Sequence, residues 1–276
     1  MRKALGEQVA ITRAGEHPAT IESLRADLRA LGLKPGMIVL VHSSLSSLGW
    51  VSGGPVAVIM ALENVIGRSG TLVMPTHSSD LSDPAHWQNP PVPETWWSAI
   101  RETMPPYDPR LTPTRGMGII PETFRNQPGT IRSRHPQDSF AARGPAKATI
   151  CLGHGLAFGL GESSPLARLY DLASSVLLLG VGHANNTSLH LAEYRAHFPT
   201  KREVVNGAPI KVSGRRAWIE YRDIDLNSDD FTEIGAAFEK ETGLVRRGRI
   251  AQAECLLMPQ RALVDFGARW IEANRR

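Results

Sequence analysis

The stretch MIVLVHSSLSSLGWVSGGPVAVIMALENVIGRSGTLVMP, Met37 to Pro75, decides the fold class. Met37–Val41 is a short β-branched and aliphatic run, the pattern of a buried strand. The loop HSSLSSLGWVSGG, rich in serine and glycine, follows it. Pro55–Ile66 reads as a helix with proline in its first turn, and Thr71–Pro75 as another strand. A loop between a strand and a helix is where α/β sheets bind ligands. Small residues let the backbone come close, and hydroxyls and free amides beside a helix N-terminus suit a phosphate or a pantetheine chain. No Gly-Lys-Ser/Thr closes the loop, so it is not a nucleotide P-loop. An ordinary connection has a similar composition, and these residues alone leave both readings open.

Outward from this unit, strands and helices keep alternating. On the N-terminal side Thr20 caps a helix whose Ile21, Leu24, Leu28 and Leu31 recur at helical spacing, until Gly32 and Pro35-Gly36 stop it. Ser23 stands where a capping box would have Glu or Gln, so the full box is not expected. On the C-terminal side the readings are a helix at Met117–Arg125, a strand at Ser139–Ala142, a helix at Pro165–Leu172, a strand at Ser175–Val181 and a helix at Asn186–His197. Lys201–Val205, Ala208–Val212 and Arg216–Arg222 alternate like an antiparallel meander. Amphipathic helices follow at Phe231–Thr242 and Gln260–Ala273. The expected class is α/β: a mixed sheet flanked by helices, an α/β/α sandwich, with a small antiparallel β section towards the C-terminus. Residues 1–18 read as a leader and 19–276 as one domain. Within that domain 77–113, crowded with proline and tryptophan and with one convincing helix at Pro93–Met104, reads as a substrate-side loop or lid.

The composition excludes several classes. The chain has 276 residues, 42% hydrophobic and 21% charged, enough for a sizeable core. No apolar run reaches the length of a membrane span, and no signal core opens the chain. Two distant cysteines, Cys151 and Cys255, fit reduced thiols and a cytoplasmic protein. The net charge of +4 comes without a basic stripe, so no nucleic acid is expected as a partner.

The chemistry concentrates in LLLGVGHANNTSLHLAEYRAH, Leu177 to His197. His190, Glu193 and His197 fall at i, i+3 and i+7, positions that share a helix face. On the residues alone His190 has three readings: a packed or exposed helix residue, a metal ligand, or a general base that accepts a proton near neutrality with Glu193 holding the ring. The zincin His-Glu-x-x-His pattern and Cys-x-x-Cys pairs are both missing, which weighs against a metal. No serine sits in a Gly-x-Ser-x-Gly elbow, which weighs against an acyl-enzyme. The late acidic run Asp223, Asp225, Asp229 and Asp230 reads equally as a polycation attractor or as a turn with capping aspartates.

Six segments together, VHSSLSSLGWVSGG, GTLVMPTHS, DPRLTPTRGMGIIPETFR, RSRHPQDSFAARGP, SPLARLYDL and LLLGVGHANNTSLHLAE, resemble the aminoglycoside 3-N-acetyltransferase family. They follow the family's order from about residue 20 to residue 200, and it is the combination that is specific. The resemblance implies a fold other than the Gcn5 type, and an acetyl-CoA-dependent transfer to the 3-amino group of a 2-deoxystreptamine ring that confers antibiotic resistance. It further implies His190 as general base and Glu193 as its motif partner; a direct transfer also needs backbone amides or a hydroxyl to steady the tetrahedral oxyanion, for which Thr187 is the candidate. Ser43, Ser44, Leu45 and Val51, with Thr114, Arg115, Met117 and Gly118, fall on the cofactor side. Asp80, Trp87, Glu122, Asp171 and Asn186 fall on the antibiotic side. The partners implied are the aminoglycoside and acetyl-CoA, in a monomer or homodimer. Some family members carry a cysteine-rich zinc site; this chain has no such cluster, and no metal is expected.

Overall fold

The computed structural model describes residues 17–276, together with 8, 11 and 12. The expected leader, residues 1–18, therefore lies mostly outside the described residues. Helix α1 (Ile21–Leu31) begins with a full capping box. Thr20 Oγ1 accepts the Ser23 N–H at 3.2 Å, and Ser23 Oγ accepts the Thr20 N–H at 2.9 Å. This corrects the expectation drawn from Ser23: its hydroxyl does what a glutamate carboxylate usually does there.

The chain continues through β1 (Ile38–Ser43), α2 (Gly54–Ile66), β2 (Thr71–Pro75), α3 (Trp97–Thr103), α4 (Ile119–Arg125), β3 (Ile131–Arg132) and β4 (Phe140–Arg143). Next come α5 (Lys147–Cys151), α6 (Pro165–Asp171), β5 (Ser175–Leu179) and α7 (Ser188–Arg195). The last part holds β6 (Glu203–Val212), β7 (Arg215–Ile224), α8 (Phe231–Thr242), β8 (Arg246–Ile250), β9 (Ala253–Pro259) and α9 (Gln260–Asn274).

Seven strands form one sheet in the order β3-β4-β2-β1-β5-β9-β8. β1 runs parallel to β2 and β5, with Leu40 opposite Val73 on one side and Val176 on the other. β4 and β9 pair antiparallel on the outer sides, so the sheet is mixed. Alternation divides the core. Val39 and Val41 of β1, with Leu177 and Leu179 of β5, join α1, α2 and α4 on one face. Leu40, Val176 and Leu178 join α6, α7, α8 and α9 on the other. Each such buried aliphatic side chain stabilises the fold by roughly 1.5–3 kcal/mol. This is the α/β/α sandwich expected from the sequence.

Two departures are instructive. The stretch read as three short strands is one long ribbon, β6–β7, paired from Glu203–Ile224 to Val212–Arg215. Ser213 and Gly214, at φ 49° and 78°, close its turn, and two consecutive positive φ values suit the twist of a tight hairpin. The β8–β9 hairpin, paired from Arg246–Leu257 to Ile250–Ala253, has no counterpart among the elements expected from the sequence. β8, RRGRI, is the sheet's edge, and its three arginines hide the strand pattern while guarding that edge.

The 77–113 segment rests on the ribbon. Arg216 donates to Met104 O at 2.9 Å and to Arg101 O, and Tyr107 N–H donates to Pro209 O at 2.9 Å. Its expected Pro93–Met104 helix is a 3₁₀ turn, Glu94–Trp96, followed by α3. Among the described residues no helix is long and apolar enough to cross a membrane.

Candidate active site

Parallel strands β1, β2 and β5 point their carboxyl ends to one edge of the sheet, and the chain leaves β1 for β2 on one side while β5 lies on the other. Such a switch point opens a crevice. Here it is a cleft of about 420 Å³, whose walls include His42, Ser43, His77, Arg115, Asp138 and His190.

His190 reaches this cleft through a local break in the chain. β5 stops at Leu179, and Gly180 turns at φ 73°. A Cβ there would stand 2.7 Å from Ser47 Cβ, so only glycine lets the two loops meet. A 3₁₀ turn, His183–Asn185, intervenes, and α7 begins at Ser188 rather than at Asn186. An eight-residue helix has no stability of its own. α7 is held by fully buried Leu189, Leu191 and Ala192 in the core it shares with α9.

Glu193 Oε2 accepts the His190 Nδ1–H at 2.5 Å. The His190 side chain is 18% exposed and that of Glu193 is fully buried. The other carboxylate oxygen, Oε1, accepts the Asn227 N–H at 2.9 Å and Arg275 Nη1–H at 2.5 Å. Arg275 also donates to both oxygens of Asp230 at 2.7 Å. Burial would lower the Arg275 pKa, but its bonds to Asp230 and Glu193 raise it above the ordinary guanidinium value. Glu193 is thus saturated by donors and closed to any ligand. With Nδ1 fixed as donor, Nε2 of His190 carries the lone pair.

His42 lies beside it at the end of β1. Burial, then the neighbouring imidazoles of His77 and His190, push its pKa down to about 3. The cleft floor holds four buried polar atoms without a protein partner among the described residues: His42 Nε2, Ser43 Oγ, His77 Nδ1 and Asn186 Oδ1.

The expected site residues separate into three groups. His190, Thr187, Asn186, Ser43, Arg115 and Met117 all line the cleft. Gly118 lies beside it, since a Cβ on it would stand 4.0 Å from Ser43 O. Around the rim, Ser44 is tied to Ser47 at 2.9 Å, and Leu45 packs against the core. Asp80 is paired with Arg115. A second hollow of about 370 Å³ holds Asp80 and Trp87 and shares Ser79 and Arg115 with the cleft.

The third group is directed elsewhere. Val51 is buried in the core and bridges to Ala19. Glu122 is consumed by structure: it accepts Thr114 N–H at 2.9 Å, Thr114 O–H at 2.8 Å and Arg125 Nε–H at 2.8 Å. Burial opposes its charge, but the bonds from Arg125 and Thr114 outweigh it and hold the carboxyl at about 2. The same bonds turn Thr114 away from a ligand. Asp171 is exposed at the end of α6, just before β5 starts, on the edge of the sheet opposite the cleft.

The metal reading loses its geometry, because α7 ends at Arg195 and His197 lies beyond it. Among the described residues no group of three or more His, Cys, Asp or Glu is arranged to hold a metal. The late aspartates are dispersed. Asp223 is buried against Tyr194, Asp225 pairs with Arg202, and Asp230 pairs with Arg275. Four residues of the site carried no role in the sequence: His42, His77, Asp138 and Arg275. Three of them, His42, His77 and Asp138, did fall inside the segments VHSSLSSLGWVSGG, GTLVMPTHS and RSRHPQDSFAARGP.

Comparison with known proteins agrees with this architecture. The sequence model of the family described as Aminoglycoside 3-N-acetyltransferase matches residues 40–272. The chain is 50% identical over 265 residues to Bacillus subtilis YokD, an aminoglycoside N(3')-acetyltransferase-like protein, covering 96% of each. It is 40% identical to aminoglycoside N(3)-acetyltransferase VIII of Streptomyces fradiae, covering 98% of this chain and 97% of that one. Among solved structures, AAC-IIIb in a binary complex with CoASH superposes with a TM-score of 0.83 at 34% identity, covering 94% of this chain and 98% of that one. AAC-VIa bound to sisomicin gives 0.85 at 30% identity, covering 94% and 99%. The chain belongs to the aminoglycoside 3-N-acetyltransferase family and is an acyltransferase.

Proposed function

We propose that this chain transfers the acetyl group of acetyl-CoA to the 3-amino group of the 2-deoxystreptamine ring of aminoglycosides, and so confers resistance to them. The observation that carries this reading is His190, with Nδ1 bound to buried Glu193 and Nε2 free, at the carboxyl edge of the sheet. His190 Nε2 takes a proton from the attacking amine as its nitrogen bonds to the thioester carbonyl carbon. The C–S bond then breaks, and the imidazolium returns the proton to the departing thiolate. Glu193 fixes the tautomer and steadies the imidazolium. A positioned base supplies roughly 10²–10⁴-fold, and alignment of the two reactants in one cleft supplies much of the rest.

The cofactor side is the Ser43–Leu45 loop together with Arg115, Met117 and Gly118. The complex of AAC-IIIb with CoASH supports a coenzyme A cosubstrate, and that of AAC-VIa with sisomicin supports an aminoglycoside acceptor. Thr187 lines the cleft and serves as hydroxyl donor to the tetrahedral oxyanion. Asn186 and Trp87 contact the acceptor. Residues 19–276 act as one catalytic domain, and 77–113, docked on the ribbon, is its substrate-side lid.

The test is an acetyl-CoA assay across an aminoglycoside panel that includes compounds with the 3-amino group blocked. CoA release with the free amines and none with the blocked ones is expected. Equal release with both overturns the position, and release with neither overturns the activity.

A further inference from the structure

The acceptor in the proposed reaction carries several ammonium groups, and the protein carries a net charge of +4. Holding a polycation with one amine at His190 requires negative charge elsewhere in the same cleft. Glu193 cannot provide it, being fully buried with both oxygens occupied. Asp80 is neutralised by Arg115. Among the described residues that line the cleft, Asp138 is the one carboxylate.

Asp138 differs from the other acids near the site. Its side chain is only 22% exposed, yet among the described residues no protein N–H or O–H donates to it within hydrogen-bond distance. His135 Nδ1 stands 3.5 Å from Oδ2 but has no proton to give. That nitrogen already accepts the N–H groups of Gln137 at 3.2 Å and Asp138 at 2.8 Å, and His135 Nε2 bonds to Leu156 O at 3.0 Å. His77 Nδ1 lies 3.6 Å from Oδ1 and is itself unpartnered. A glycine is required for this placement: a Cβ on Gly159 would come within 2.5 Å of Asp138 Oδ2. A carboxylate this buried is costly without a partner. The fold nonetheless sets it 3.6 Å from His77 Nδ1, in a cleft whose floor also holds His42 Nε2 and Asn186 Oδ1, two atoms without a hydrogen-bond partner among the described residues.

We infer that Asp138, with His77 beside it, is an ammonium-binding subsite that holds a second amino group of the acceptor while the reacting amine meets His190. This rests on the acetyltransferase reading and adds a specificity residue to it. An acceptor lacking that second ammonium group loses the contact, so Asp138 discriminates among aminoglycosides by their amine pattern.

The test is calorimetric titration of the Asp138→Asn protein and the wild type with sisomicin, and of each with acetyl-CoA. The sisomicin affinity is expected to fall ~10–100-fold, as for loss of one charge-assisted contact, with the acetyl-CoA affinity retained. Deaminated acceptors are expected to show the coupling: removing the amine held by Asp138 weakens the wild type but not Asp138→Asn. An unchanged sisomicin affinity overturns the subsite, as does an equal loss for sisomicin and acetyl-CoA. If the variant does not fold, a crystal structure of the wild type with sisomicin decides, by whether an amino nitrogen lies within 3.5 Å of an Asp138 carboxylate oxygen. A wild type that transfers acetyl while Asp138→Asn is unaffected overturns this inference alone. A wild type that binds no aminoglycoside overturns the inference together with the functional reading.

Discussion

Arg275 Nη1 stands 2.5 Å from Glu193 Oε1, linking the residue just past the last helix to the carboxylate that holds His190. The guanidinium also spans Asp230 with two bonds, so one half-buried cation organises two acids and, through Glu193, the imidazole.

Removing that cation leaves two acids without their charged partner. Arg275→Met is expected to lose ~3–5 kcal/mol of stability, as when one partner of a buried pair is deleted. It is also expected to reduce kcat about tenfold, because Glu193 is then free to tilt away from Nδ1. Arg275→Lys keeps the charge and should recover part of both. Chemical denaturation and steady-state turnover on the same preparations check this. A stability loss with kcat unchanged would reduce Arg275 to a structural residue.

Acid stability follows from two histidines, His42, which is buried, and His154, which is half-buried. Burial first, then neighbouring imidazoles (His77 and His190 at His42, His135 at His154), lower His42 and His154 to about 3. In the unfolded chain both titrate near the usual ~6.5. As pH falls below that value the unfolded state takes up protons that the folded state refuses, so stability falls with pH until about 3. The slope is at most ~1.4 kcal/mol per pH unit for each histidine. Calorimetric melting from pH 7 to pH 4.5 is expected to give a falling Tm, and His154→Gln a shallower fall. A Tm independent of pH across that window would contradict the neutral state assigned to both rings.

Local signals made β1, its loop, α2 and β2 legible, because each element carries its own periodicity and stop signals. The His190–Glu193 pair was legible for the same reason, being one helical turn apart on one helix. Asp138 and His77 come from segments far apart in the chain and meet only through the sheet. Arg275 reaches Glu193 across 82 positions, which no local pattern reveals. Glu122 shows the converse. A carboxylate in a motif looks free for a substrate until its neighbours Thr114 and Arg125 are seen to occupy it. β8, RRGRI, carries no strand signal because an edge strand is selected for charge rather than alternation.

The most direct measurement is turnover of the His190→Ala protein, shown to be folded and to bind acetyl-CoA, with CoA release followed on an aminoglycoside that the wild type accepts. If His190 is the base, kcat falls ~10²–10⁴-fold while acetyl-CoA affinity is retained. Turnover near that of the wild type would contradict it.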